Sequence, residues 1–521
     1  MLHRRNANGL ALLSSVGALL GACSLLNAPE DLKSVAVSSG GEGGSGAGGL
    51  GGSAGKQSNA GTSGDGTSGE MSGSAGEAGS GPIGQLCTDS AADCGGGAPI
   101  CDDSAHSCRA CARDPECAAL PGLAYCADSG RCIECKSAHD CSADSPVCGP
   151  GGTCRACAKN DECVSGVCDV GTGVCSASAT AVYVLAGTGS SSASCGDLAQ
   201  PCLQVASAVS KLSLVRPNLV FIASSLTLNS GIAVLPALKG LNVIGNHVVM
   251  KPYDGASSFI VNGGSVTFDG IDLRGSMGSV QPALDCSHAV VAIKNSHFEG
   301  NSVAVNASEC DLSVSHSFFE ANAAPLKNGF VALSTACTDP ACAHPLTIES
   351  SRFEGNGKAL YTSVGSTVIR NSLFLRNGDA GNYGDYNRVL EFRGTTAKLS
   401  YNTLVENFNK CSYVGLLACA NGVCDGVGNI SWNNFPMQTC QDQVFYSFAT
   451  LSHNLTEVLF PGARNKVGNP LFVAAATGNY TPGKGSPAID SGNPADTPAS
   501  DYNNKPRPVG AAPDVGAIEV Q

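Results

Sequence analysis

Cysteine is the residue type whose spacing carries the most chemistry in this 521-residue chain, which contains 27 of them. Sixteen lie between Cys87 and Cys175 in units of four: Cys111, Cys117, Cys126, Cys132; then Cys135, Cys141, Cys148, Cys154; then Cys157, Cys163, Cys168, Cys175. Cys87, Cys94, Cys101 and Cys108 form a looser first copy, and the later units begin every 22 to 24 residues. Thiols so spaced support two chemistries, oxidation to disulfides or tetrahedral zinc ligation at the C-x2-C junctions Cys108/Cys111, Cys132/Cys135 and Cys154/Cys157. No histidine recurs with the repeat, and exported thiols oxidise, so eight disulfides are expected and no metal site is assigned. Three pairings stay open within each unit. A C-x2-C redox role would need a strand-to-helix context, which is missing.

Titratable residues recur less regularly. Glu299, Glu320 and Glu354 occupy equivalent places, but the next copy has Leu375, and the neighbours His297, Phe318 and Arg352 differ. A solvated face accounts for them better than a catalytic pair. His316 replaces the Asn or Ser of other copies and reads as a substitute in a turn ladder rather than as a base. One segment, DAGNYGDYNRVLEFR, gathers Asp379, Tyr383, Asp385, Tyr386, Arg388, Glu391 and Arg393 in a protein with only 5% aromatic residues. Tyr faces stack on sugar rings, and Arg and Asp hydrogen-bond hydroxyls or carboxylates. These seven residues form the candidate ligand-binding loop. The alternative is an insertion whose charges pair internally. No catalytic residue is assigned.

The elements that must position these groups are strands. Sixty-six Gly and 14% charged residues, against an average near ~25% charged, exclude a coiled coil or a helix-rich enzyme. A net charge of -13 removes the basic face that nucleic acid requires. In the cysteine units almost no large apolar residue is available, so cross-links must replace a core. Each unit also carries an acid before its second cysteine: Asp93, Glu116, Asp140 and Glu162. Beyond Ala181 a short pattern returns as VAIKNSHFEGN from Val291, LSVSHSFFEAN from Leu312, LTIESSRFEGN from Leu346 and TVIRNSLFLRN from Thr367, in steps of 21, 34 and 21 residues. Weaker copies begin at Val266 and lie around Asn402, Asn429 and Asn454. Such short repeats of alternating strands argue for a solenoid. With coils ~4.8 Å apart, Ile293, Val314, Ile348 and Ile369 form one inward column and Phe298, Phe319, Phe353 and Phe374 another. Asn301, Asn322, Asn356 and Asn377 form a turn column whose amides can bond the coils above and below.

At the N-terminus, Arg4 and Arg5 precede the apolar run GLALLSSVGALL, too short to span a ~30 Å hydrocarbon core. The following Leu20-Gly21-Ala22-Cys23 resembles the lipobox of bacterial lipoproteins. That resemblance implies cleavage before Cys23, lipid on its sulfur and a membrane partner through multiple acyl chains. Ser24, in place of an Asp, resembles lipoproteins sent to the outer membrane of Gram-negative cells. Nineteen Gly among the 47 residues from Ser39 to Gln85 mark a tether that stays disordered, with a reach of roughly 35–40 Å.

The cysteine units resemble small modules of extracellular proteins that serve as stalks or contact surfaces. The region from 181 resembles the right-handed parallel β-helix family that includes pectate lyases. Gly468-Asn469-Pro470-Leu471-Phe472, Gly485-Ser486-Pro487-Ala488-Ile489-Asp490-Ser491-Gly492 and Asp514-Val515-Gly516-Ala517-Ile518-Glu519, with Asp501 and Arg507-Pro508, resemble the closing segment of choice-of-anchor Q surface proteins. Those carboxylates read as turn locks in a cap over the last coil. Tyr183-Val184, Cys195-Gly196-Asp197, Pro201-Cys202 and one helical stretch over residues 203–214 resemble the usual N-terminal cap. The expected organisation is a signal peptide (1–22), a tether (23–86), cysteine repeats (87–175), an all-β right-handed parallel β-helix (181–465) and its closing segment (466–521).

Ten cysteines remain for this domain. Cys195 with Cys202, Cys337 with Cys342 and Cys286 with Cys310 suit local or one-coil bridges, and Cys411, Cys419, Cys424 and Cys440 supply two more. The odd Cys23 is then the anchor. Lyases of this fold hold Ca²⁺ on clustered Asp beside a Lys or Arg base, and no matching set is found here. The expected function is a cell-surface lipoprotein that binds extracellular polysaccharide or a cell-surface protein and no nucleic acid. The alternatives are a polysaccharide lyase or hydrolase, with Ca²⁺ if a lyase, and a structural envelope component.

Overall fold

Two crossing disulfides over a two-stranded ladder make up each cysteine unit. The computed structural model describes Cys87, Cys94 and residues 98–521 apart from 103, 164, 166, 170–171, 177–180, 213–217, 235, 239, 253–256, 276–280, 323–330, 338–343, 364, 379–387, 409–415 and 435–443. The expected signal peptide, Cys23, the tether, Asp93 and residues Cys342, Asp379, Tyr383, Asp385, Tyr386, Cys411 and Cys440 lie outside the described residues. All four units join first to third and second to fourth cysteine: Cys87–Cys101 and Cys94–Cys108, Cys111–Cys126 and Cys117–Cys132, Cys135–Cys148 and Cys141–Cys154, Cys157–Cys168 and Cys163–Cys175. The backbone makes the choice. The third and fourth cysteines face each other across an antiparallel pair, Cys101 opposite Cys108, Cys126 opposite Cys132, Cys148 opposite Cys154 and Cys168 opposite Cys175. Both sulfurs therefore reach back to the preceding loop.

The recurring acid clamps one unit to the next. Glu116 accepts from the Ala112 backbone N–H at 2.7 Å and pairs with Arg109 of the preceding unit at 3.2 Å. Glu162 accepts from Ala158 N–H at 2.8 Å and pairs with Arg155 at 2.7 Å. Asp140 takes the Tyr125 hydroxyl at 2.6 Å together with the N–H groups of Lys136 and Ser137. The neighbouring guanidinium holds Glu116 and Glu162 down at about 2, and the Tyr125 hydroxyl, aided by the backbone donors, does the same for Asp140.

From Ala181 the chain winds into a parallel β-solenoid of three sheets. The first contains Asn218–Ile222, Val290–Lys294, Asp311–Ser315, Pro345–Glu349 and Ser366–Arg370 among its strands. The second contains His297–Glu299, Phe318–Glu320, Arg352–Glu354 and Leu373–Leu375. Among the described residues the third has nine strands, from Ile232–Val234 to Phe445–Tyr446. Strands Leu241–Lys251 and Ser265–Arg274 pass through a bend and belong to both of the first two sheets. At the N-terminal end, Ala181–Val184 pairs with Asn218–Ile222, and the expected helical stretch is a single short helix, Val205–Val209. Cys195 is bonded to Cys202, Cys286 to Cys310 and Cys419 to Cys424, and Cys337 is also disulfide-bonded.

Register places equivalent residues directly above one another. Ile293, Val314, Ile348 and Ile369 are mutual ladder partners and buried. The rings of Phe298, Phe319, Phe353 and Phe374 stack with centroids 5.0, 4.6 and 5.0 Å apart. In the turn column the side-chain oxygen of each asparagine accepts from both the backbone and side-chain N–H of the one before it, from Asn301 through Asn322, Asn356 and Asn377 to Asn407 and Asn434. Asn402, Asn429 and Asn454 belong to a different column. They continue a serine ladder, Ser296–Ser317–Ser351–Ser372, in which each side-chain oxygen accepts the preceding coil's backbone N–H. His316 is in neither ladder: it is exposed at a left-handed bend (φ 47°), the position that Asn295 and the buried Ser350 and Asn371 take in their coils. The expectation of a ladder substitute was one residue out of register.

The closing segment reaches further back than the last coil. The Tyr480 hydroxyl takes a hydrogen bond from Arg376 at 3.0 Å, the Ser500 carbonyl one from Asn371 at 2.7 Å, and Ala517 N–H donates to Thr403 Oγ1 at 2.9 Å. Tyr480, Ala517 and Ile518 cover Leu373, Leu375 and Val405 on the outside of the second sheet. This explains why the glutamate row Glu299, Glu320, Glu354 gives way to Leu375: the exposed face ends where the segment lies on it. Its carboxylates are turn locks. Asp501 accepts from the N–H groups of Asn503, Lys505 and Glu519, Asp514 from Asp490 and Val520, and Glu519 from Val509 and Asp514. Arg507 is buried among them, 4.8 Å over the Tyr401 ring.

Candidate functional site

Strand Leu390–Arg393 of the third sheet carries the described part of the candidate loop. Alternation points Leu390 and Phe392 into the core and leaves Glu391 and Arg393 outside, with Tyr361 on the adjacent coil directly opposite Glu391. Glu391 Oε1 accepts from Arg388 Nη1 and from Arg393 Nε, each at 2.7 Å, and Oε2 accepts from Lys358 Nζ at 2.9 Å. Three cations thus surround one carboxylate in a chain whose net charge is -13. Burial alone would push the Glu391 carboxyl up, but Lys358, Arg393 and Arg388 hold it below its ordinary value. The guanidinium of Arg393 and the ammonium of Lys358 lie 5.7 and 6.0 Å from the centre of the Tyr361 ring. Arg388 and Glu391 are buried, whereas Arg393 is 48% exposed at its side chain.

The described charges of the loop therefore do pair with one another, and they add a partner the sequence reading missed. Lys358 and Tyr361 come from the preceding coil, and only the register puts them beside Glu391. The same register extends the site. Asp285, Asn306, Ser334, Tyr361, Glu391, Ala418 and Tyr446 are successive ladder partners along the outer face of the third sheet. Asn306 Nδ2 donates to Asp285 Oδ1 at 2.8 Å, and Tyr446 is exposed. With coils ~4.8 Å apart, Tyr361 and Tyr446 stand roughly 14 Å from each other. Between them lie Glu391 and Ala418, both buried, so the open side chains of this stretch are Tyr446 and Arg393, with Tyr361 partly exposed.

Elsewhere on the coils several carboxylates stand apart, each beside an arginine or histidine side chain. Glu299 meets Arg274 at 3.0 Å, Glu320 meets His297 at 3.2 Å, Glu349 meets Arg370 at 2.8 Å, Asp311 meets His344 at 2.7 Å, and Glu354 is held by Arg352 and Arg376. Among the described residues, the groups of three or more metal-ligating atoms within 4.8 Å are the disulfide-bonded cysteine clusters. A hard cation such as Ca²⁺ takes six to eight oxygen ligands, and the scattered carboxylates of these coils do not fit it. No catalytic step through such an ion follows.

Fold and site together define a parallel β-solenoid preceded by disulfide-rich repeats. Among solved structures, similarity extends to the "Crystal structure of pectate lyase Pel9A", at 15% identity and TM-score 0.45 over 66% of this chain and 96% of the lyase. It extends also to ORF18 of Geobacillus virus E2, at 9% identity and TM-score 0.36 over 56% of this chain and 58% of that protein. No protein-family profile and no curated protein matches the chain.

Proposed function

We propose that this chain is an exported surface protein, anchored by lipid on Cys23 in the outer membrane, whose solenoid binds glycan along the outer face of its third sheet. The cysteine repeats serve as the stalk. The observation that carries this reading is the in-register row from Asp285 to Tyr446, with Tyr361 flanked by Lys358 and Arg393. Tyrosine faces supply stacking surface, and the half-exposed Arg393 guanidinium beside Tyr361 can hydrogen-bond sugar hydroxyls or carboxylates. Eight regular disulfides in the repeats support an oxidising compartment. Cross-unit clamps at Glu116, Asp140 and Glu162 support a stiff spacer.

A glycan array probed with the mature protein tests the reading. Retention of one glycan class, reduced at least tenfold by Tyr361→Ala with Arg393→Ala, is the expected outcome. No retention on any glycan favours a structural envelope component. Cleavage of the retained glycan, with or without Ca²⁺, would replace binding by lyase or hydrolase activity.

A further inference from the structure

A serine, a histidine and a glutamate meet at the rim of the third sheet, on the face that carries Asp285 and Asn306. Strand Pro282–Ser287 leaves Asp285 and Ser287 outside, and Ser287 is the ladder partner of Ser308 on the next coil. Each coil then turns a corner through left-handed residues, His288 on the first and Glu309 on the second (φ 52° and 54°). The corner places His288 Nδ1 2.7 Å from Ser287 Oγ, and His288 Nε2 2.6 Å from Glu309 Oε2. Both ring nitrogens are thus engaged, one by a hydroxyl and the other by a carboxylate. The Glu309 side chain is 17% exposed and that of His288 70%, so the carboxylate sits below the ring and the ring faces solvent. A disulfide ties the two coils at this point: Cys286, immediately before Ser287, is bonded to Cys310, immediately after Glu309.

We propose that Ser287, His288 and Glu309 form an acyl-transfer site that hydrolyses O-acyl esters. An ionised carboxylate only accepts hydrogen bonds, so Glu309 places the proton of the neutral ring on Nε2 and leaves the Nδ1 lone pair toward the Ser287 hydroxyl. A hydroxyl within reach of a base that a third group orients is the arrangement of an activated nucleophile. It is recognised by geometry and not by order along the chain. Ser287 Oγ attacks the ester carbonyl carbon while its proton passes to His288 Nδ1. The tetrahedral intermediate collapses as Nδ1–H gives that proton to the departing alkoxide, which leaves the acyl group on Ser287. Water then attacks the acyl carbon and gives a proton to Nδ1. On collapse Ser287 Oγ takes that proton back and the free acid departs. Ester and water become acid and alcohol, with no other reactant. Glu309 touches no reacting atom and is a positioning residue: it fixes the ring and favours the imidazolium formed in each half-reaction. Asn262, exposed and opposite Ser287 on the preceding coil, presents an amide that can donate to the oxyanion. The carrier of the ester rests on the glycan reading above. Asp285, two positions before Ser287 on one strand, begins the row that the glycan follows, so the substrate class is a glycan with acyl groups on its hydroxyls. The reaction removes those groups and leaves the sugar chain uncut.

Assays of the mature protein with its disulfides intact test the site and its carrier separately. Hydrolysis of 4-nitrophenyl acetate, which involves no glycan, should fall roughly a hundredfold or more in Ser287→Ala and in His288→Ala, as when a member of a catalytic triad is removed. Glu309→Gln should lower kcat and leave KM nearly unchanged, since it acts on the ring and not on the ester. A fluorophosphonate, which loses fluoride as the serine oxygen bonds to phosphorus, should add its mass to the peptide carrying Ser287 in the wild type and not in His288→Ala. That labelling needs no variant of Ser287 to fold. Acetate release from O-acetylated polysaccharides then tests the carrier. Aryl-ester hydrolysis without acetate release from any of them keeps the site and overturns the glycan as carrier. Undiminished hydrolysis in Ser287→Ala, which is imidazole catalysis by the exposed His288 alone, or an unlabelled Ser287, overturns the site even where a glycan array shows retention.

Discussion

The cysteine repeats and the solenoid hold their shape by opposite means. In the repeats, 89 residues from Cys87 to Cys175 contain almost no large apolar side chain, and paired sulfurs occupy the place of a core. In the solenoid, one continuous apolar column runs from Val184 to Phe460, and the bends are fastened by ladders of asparagine and serine. The first design is local: each unit is closed within 11 to 15 residues by its own two bridges. The second is propagated, because every coil leans on the one before it. In the local design, damage to one unit stays there. In the propagated design a row such as Tyr361, Glu391 and Tyr446 requires coils in strict register.

The sharpest way to break this contrast is reduction. Loss of a native disulfide from a small domain costs about 2–5 kcal/mol, and each unit depends on two, so a dithiol should unfold the repeats completely. Far-UV circular dichroism of the solenoid should persist while proteolysis maps cuts to residues 87–175. A single transition for both regions would show that the solenoid needs the stalk. A smaller effect is expected from Phe353→Ala, in the middle of the ring stack. Truncating a buried Phe costs about 3–5 kcal/mol, to be read as a lower denaturant midpoint of the solenoid. Protection of the disulfide-held units should be unchanged, and a shift in both would dissolve the distinction between local and propagated stability.

The mildest effect is acid on the inter-unit clamps. Arg155 holds Glu162 at about 2, below its ordinary 4.5. Its contribution is present above the ordinary value and is lost as pH falls through the depressed one. Exchange at the Ala158 amide, which Glu162 accepts from, should therefore stay slow at pH 4 and quicken near pH 2. Glu162→Gln should remove that pH dependence.

Much of this was legible because solenoid geometry converts sequence periodicity into contact. The step of 21 residues between Val291 and Leu312 becomes ladder pairing of those same two residues. The Phe and Asn columns followed from equal offsets within each copy. What failed did so by one position or by one coil. His316 sits beside its ladder because turn residues of similar polarity alternate between bend and bond. The weaker copy expected around Asn402 is present, and there Asn402 continues the serine column because an amide oxygen accepts the same N–H that a hydroxyl does. Lys358 and Tyr361 escaped notice since nothing local links them to Glu391.

By itself the sequence determined the strand period, the inward columns, the number of cysteines per unit and the acid that precedes the second of them, because each is a matter of spacing along one chain. Only the tertiary structure decided which sulfurs bond, that the closing segment lies back along the second sheet, and that Asn246 meets Asn160 and Cys168. Those outcomes depend on backbone pairing and on surfaces distant in sequence, where many residues of the same type compete and only the folded register selects among them.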